Sequence, residues 1–152
     1  MPAADLTAPT RNQYRPATLG GDLRVALTRI SRRLRAQRGE ADLPEGRFGG
    51  LTVLHKHGAM SPSELAEHER VRPPSMTRAV NALVEMGLVE KGEHASDRRQ
   101  VVVRLTDAGG REVKETRRRR DAWLTQQLSS LTPDERETLA RASELLTRIA
   151  AR

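Results

Sequence analysis

Residues 61–87 read SPSELAEHERVRPPSMTRAVNALVEMG. Two helices and a tight link are written there. Ser61 suits an N-cap, Pro62 the first turn, and Glu64 reaches back to the cap, the pattern of a capping box. Leu65 and Ala66 face inward on a short helix that breaks at Val71-Arg72. Pro73-Pro74 then opens a second helix, where a missing N–H is tolerated. Met76, Val80, Leu83 and Val84 share one face of that helix, and Gly87 closes it. A short capped helix, a tight link and a second helix ending in glycine is the helix-turn-helix pattern.

The next stretch, LVEKGEHASDRRQVVVRL over residues 88–105, changes period. Leu88 to Lys91 and Gln100 to Leu105 predict two strands, with Val101, Val103 and Leu105 alternating against Val102 and Arg104. The polar run Gly92 to Arg98 joins them as a hairpin. A recognition helix followed at once by a hairpin with arginines near its tip is a winged helix.

Helical patterns flank this segment. Leu23, Leu27, Ile30 and Leu34 form one stripe, ended by Gly39, and Phe48, Leu51 and Leu54 form a weaker one, stopped by Gly58. Thr106 caps a long helix through Val113, Trp123, Leu124 and Leu128. Thr132-Pro133-Asp134-Glu135 starts a last helix carrying Leu139, Leu145, Leu146 and Ile149. Residues 1–19, with Pro2, Pro9 and Pro16, predict a flexible arm. The expected fold is mainly α with a two-stranded β-wing.

Composition agrees with that class. The chain has 152 residues, 36% apolar, with only three aromatic side chains, Tyr14, Phe48 and Trp123. That is too few for an all-β sandwich or barrel. The absence of cysteine excludes disulfides, thiolate metal clusters and thiol redox sensing. No apolar run is long enough for a membrane span and no apolar leader opens the chain, so a cytoplasmic protein is expected. The net charge of +7 suggests an anionic partner. Residues 61–105 are neutral, however, and the excess lies on either side of them. Any case for DNA must therefore rest on where individual side chains point.

With Met76 and Leu83 inward, the second helix shows Pro74, Arg78, Asn81 and Glu85, with Ser75 and Thr77 on its shoulders. Arg78 can read guanine, Asn81 adenine, and Ser75 or Thr77 a phosphate or a thymine methyl. The helix N-terminus itself attracts phosphate. Arg98 and Arg99 on the wing suit a narrow minor groove, with Asp97 pinning an arginine by a salt bridge. The candidate DNA-contacting set is Ser61, Ser63, Arg72, Pro74, Ser75, Thr77, Arg78, Asn81, Asp97, Arg98 and Arg99.

Gly87-Leu88-Val89, then Ser96-Asp97-Arg98-Arg99, then Leu105-Thr106-Asp107-Ala108-Gly109 resembles the MarR family of bacterial regulators. Ser63-Glu64-Leu65-Ala66 and Thr77-Arg78 resemble it too. The likeness runs from about Gly20 to Ala151. It implies a homodimer whose first, fifth and sixth helices interlock, a winged helix-turn-helix in each subunit, and an imperfect palindromic operator. It implies a single domain over 20–152, with the winged part at about 44–106 and dimerisation helices at about 20–38 and 107–151. It also implies a repressor released by a small aromatic ligand. By position, Thr77, Arg78 and Asn81 fall where the family faces DNA, and Arg99 falls on the wing arginine. Arg72 departs from the pattern, standing where a Ser or Asp cap is usual; it should weaken the helix start and can hold a phosphate instead.

Other features point elsewhere less well. His55 and His57 do not share a helix face, so no metal site is expected. Arg117 to Arg120 reads as a solvated helix surface. Glu64, Glu67 and Glu69 join no triad and there is no glycine-rich phosphate loop, so neither an enzyme nor a cofactor is expected. The competing functions are a DNA-coating protein without sequence preference and a dimeric protein-binding adaptor.

Overall fold

A computed structural model describes residues 14–97 and 99–152. Its elements follow the expected order: α1 (Pro16–Arg35), α2 (Glu45–His57), α3 (Pro62–Glu69), α4 (Pro73–Glu85), β1 (Val89–Glu93), β2 (Val101–Leu105), α5 (Asp107–Ser129) and α6 (Pro133–Ala150). Residues 1–36 and 37–152 form two units.

The first unit is α1. Pro16 takes its first turn, so residues 16–19 are helical rather than part of an arm, and most of the expected arm lies outside the described residues. α1 stops at Arg35, before Gly39, and contains no buried residue.

The second unit is built around the helix-turn-helix. Ser61 Oγ accepts the Glu64 N–H at 3.2 Å while the Glu64 carboxylate accepts the Ser61 N–H at 2.7 Å, the expected capping box. α3 and α4 then end in the same way. The Val71 N–H reaches back five residues to the Ala66 carbonyl, and the Leu88 N–H to the Leu83 carbonyl. Such a closure puts the preceding residue in the left-handed region. Gly87 does this at φ 71°, and Arg70 does it at φ 53° without glycine's freedom.

β1 and β2 pair antiparallel, from Val89 opposite Leu105 to Glu93 opposite Val101. Met60 adds a bridge to Val103, with N–H···O distances of 3.1 and 2.8 Å, so the turn before α3 is tied to the wing. The core gathers Leu51, Leu65, Met76, Val80, Leu83, Val89, Val103 and Val113, all essentially inaccessible to solvent. One apolar face from each of α2, α3 and α4, the sheet and the start of α5 meet there.

Leu105 to Gly109 forms a clasp. The Thr106 hydroxyl donates to the Gly87 carbonyl at 2.7 Å and accepts the Gly109 N–H at 3.1 Å. The Thr106 N–H donates to the Leu88 carbonyl. A Cβ on Gly109 would strike that Leu88 oxygen and lie 2.7 Å from Leu105 Cδ1. Hence only glycine lets α5 start so close to the end of α4.

The 37–45 connection is fastened to α5. Buried Glu112 accepts the Ala41 N–H at 3.2 Å. Gly39 approaches so closely that a side chain there would run into Glu112 and Thr116. Arg119 donates to the Arg38 carbonyl at 3.0 Å. Arg120 pairs with Glu45 at 2.8 Å and lies over the Phe48 ring, 4.7 Å from its centre. Arg119 and Arg120 are thus structural fasteners, which corrects the reading of a solvated surface for this half of the run, whereas Arg117 and Arg118 are exposed as expected.

Candidate nucleic-acid interface

α4 turns Met76, Val80 and Leu83 into the core, and this burial fixes what faces outward. Pro74, Ser75, Thr77, Arg78 and Asn81 are all exposed, so the structure brings these candidates together on one helix face. Arg72 is the N-cap and makes no side-chain capping bond, the departure that the sequence signals.

The start of α4 differs from expectation in one physical respect. Pro73 and Pro74 have no N–H, and the Ser75 N–H donates to the Arg72 carbonyl at 2.9 Å, with Met76 donating to the same oxygen. No main-chain donor of the first turn is left for an anion, which corrects the expectation of phosphate at a helix N-terminus. A phosphate there must be held by side chains, and Arg72 and Ser75 are exposed to do it.

Several polar groups already have work inside the chain. The Thr77 hydroxyl donates to the Pro73 carbonyl at 3.0 Å. Asn81 Oδ1 accepts from Lys91 Nζ at 2.7 Å, a contact between α4 and β1 that the sequence reading missed. Ser61 is engaged in its capping box and half-buried, whereas Ser63 beside it is exposed. The two hydrogen bonds from Ser61 hold the Glu64 carboxyl below its ordinary range.

On the wing, Arg98 lies outside the described residues. Asp97 Oδ1 accepts the main-chain N–H of Arg99 at 3.0 Å, and the Gln100 N–H donates to the Asp97 carbonyl at 3.0 Å. Asp97 thus acts on Arg99 through a turn that fixes its backbone, and any pairing of Asp97 with Arg98 lies outside the described residues. The Arg99 side chain is exposed. The His94 ring nitrogen Nδ1 meets the Ser96 N–H and hydroxyl, which stiffens the same loop.

At the ends of α2 and α3, the His57 and His68 rings stack with centres 4.8 Å apart. Among the described residues no three His, Cys, Asp or Glu side chains are arranged to hold a metal ion. A cavity of about 680 Å³ beside α5 is lined by Ala41, Leu88 and Ala108 but also by Arg111, Glu112 and Arg118. Among the described residues no helix is long and apolar enough to cross a membrane.

Comparison with known proteins agrees with this geometry. The sequence profile of the MarR family matches residues 43–101. A protein of Mycobacterium bovis named as a helix-turn-helix-type transcriptional regulator is 42% identical over 130 residues, 86% of this chain and 91% of the relative. The transcriptional repressor MdtR of Bacillus subtilis is 31% identical over 66% of this chain and 63% of its own. A crystal structure of a transcriptional regulator protein from Pseudomonas aeruginosa superimposes with a TM-score of 0.75 at 34% identity, covering 93% of this chain and 99% of that one.

Proposed function

From the premise that this chain belongs to the MarR family of helix-turn-helix transcriptional regulators, we propose that it acts as a homodimeric repressor that recognises a palindromic operator by sequence. The observation that carries this is α4. Its core residues Met76, Val80 and Leu83 are locked in place, and the side chains left outside are types that read base edges and phosphates. Arg78 serves base edges, Arg72, Ser63 and Ser75 serve the backbone, and Arg99 serves the minor groove beside it. Repression is supported by the Bacillus subtilis relative, which is named a repressor. The neutrality of residues 61–105 argues against coating DNA by charge alone.

Selection of bound sequences from random DNA tests this directly. Two half-sites about 10 base pairs apart, centre to centre, are expected. Arg78→Ala should cost about 1–3 kcal/mol and relax choice at one base pair of each half-site. Arg99→Ala should weaken binding mainly where the flanks are A·T-rich, because a narrow groove concentrates negative potential. Recovery of no preferred sequence would refute the proposal.

A further inference from the structure

The bond between Lys91 and Asn81 fixes which half of the Asn81 amide can meet DNA. An ammonium group carries only donors, so the amide oxygen must face Lys91 and the NH2 group must point away from it. Lys91 is well anchored for this task. Its strand position is opposite Val103, which is fully buried and also bonded to Met60.

A free asparagine reads adenine with two bonds, accepting from the base's N6 amine and donating to its N7. Asn81 keeps only the donating half. The oxygen retains a second lone pair, but an N6–H approaching it meets the positive charge of Lys91. Guanine instead offers two acceptors, O6 and N7, on the same edge. A donor-only amide next to an ammonium matches that edge.

We propose that Lys91 is a specificity-determining residue, which holds Asn81 as a donor-only reader and turns its preference from adenine to guanine. The inference rests on the DNA-reading function proposed above and deepens it.

The test compares the unaltered chain with Lys91→Met, Asn81→Ala and the double variant. Each is titrated against the selected operator with every base pair of one half-site changed in turn. The position that Asn81 reads is the one whose preference Asn81→Ala erases. Guanine should be preferred there by the unaltered chain. Lys91→Met should shift that preference toward adenine by roughly fivefold or more, within the discrimination of a bidentate contact. In the Asn81→Ala background, Lys91→Met should change no preference. Both side chains are exposed, and unchanged thermal midpoints will verify folding. Adenine preferred by the unaltered chain overturns the proposal. So does a Lys91→Met variant that weakens all sequences equally with a salt slope smaller by about one, which makes Lys91 a phosphate contact. If the unaltered chain shows no preferred sequence at all, the function proposed above fails first, before any variant is measured.

Discussion

Two regions of this chain bury their apolar residues to opposite extents. Every buried apolar side chain among the described residues lies between Leu43 and Val113, in the winged part and the start of α5. α1 and α6 contain none. Yet both are amphipathic in sequence, and their stripes stand open: Leu27 and Ile30 are 43% and 44% exposed, Leu145 and Ile149 51% and 63%. A helix acquires such a stripe only where something covers it. The winged part is therefore complete within one chain, and the open stripes of the terminal helices are what the proposed homodimer would cover.

The largest expected effect breaks that division of labour at α6. Leu145→Arg combined with Ile149→Arg places two charges on the open stripe. Sedimentation at low micromolar concentration should show a dimer for the unaltered chain and a monomer for the variant. Affinity for a two-half-site operator should fall by about 10²–10⁴, the loss expected when two linked contacts become independent. Circular dichroism should still report a folded winged part. A variant that remains dimeric shows that α6 is not the covering surface.

The next effect sharpens the contrast from inside the winged part. Gly109→Ala drives a methyl group into the Leu88 carbonyl and should destabilise by about 1–3 kcal/mol in urea unfolding. At neighbouring Gly110 a Cβ meets nothing nearer than Leu105 Cδ2 at 3.8 Å. Gly110→Ala should therefore be neutral or stabilise by up to about 1 kcal/mol, from helix propensity alone. Equal effects at the two positions would deny the clasp its role.

What could be foreseen along the chain depended on distance. The capping boxes at Ser61 and Thr132 were legible because all their atoms lie within four residues. The outward face of α4 was legible because burial of Met76 and Leu83 sets the phase of the whole helix. The bridge from Met60 to Val103 was not, since one long-range pair leaves no period. The roles of Arg119 and Arg120 were hidden for the same reason: their partners lie some eighty residues away. At the interface, residue types were legible but free atoms were not. Which atoms of Asn81 and Thr77 are already engaged shows only once Lys91 and the Pro73 carbonyl are placed beside them.

Arg70 offers a smaller effect. It holds the left-handed position of the helix-turn-helix at φ 53°, a conformation that costs an ordinary side chain about 1 kcal/mol. Arg70→Gly relieves that strain but leaves the unfolded chain freer, so a net gain of about 0.5 kcal/mol is expected. The gain should appear in the unfolding midpoint of the winged part and leave the dimer dissociation constant unchanged. A lower midpoint would mean that the Arg70 side chain contributes more than its backbone strain removes.

The smallest effect lies on α5, the helix that carries both the last buried apolar residue and the fasteners of the 37–45 connection. Glu115 accepts two bonds from Arg118, at 2.8 and 2.9 Å, and one from Arg119 at 2.6 Å. These bonds hold its carboxyl down at about 2, against an ordinary value of 4.5. A carboxylate whose folded value is depressed stabilises the fold above its unfolded value, and the contribution disappears as pH falls from about 4.5 toward about 2. Glu115→Gln should therefore be slightly less stable than the parent at pH 7. The gap should close across that acidic window and should narrow in high salt, since the Arg118 side is open to solvent. Arg119 also donates to the Arg38 carbonyl, so part of the loss should appear as faster amide exchange in residues 37–45. Faster exchange in α6 instead would place the weak point of the chain in the terminal helix and not in the fastener.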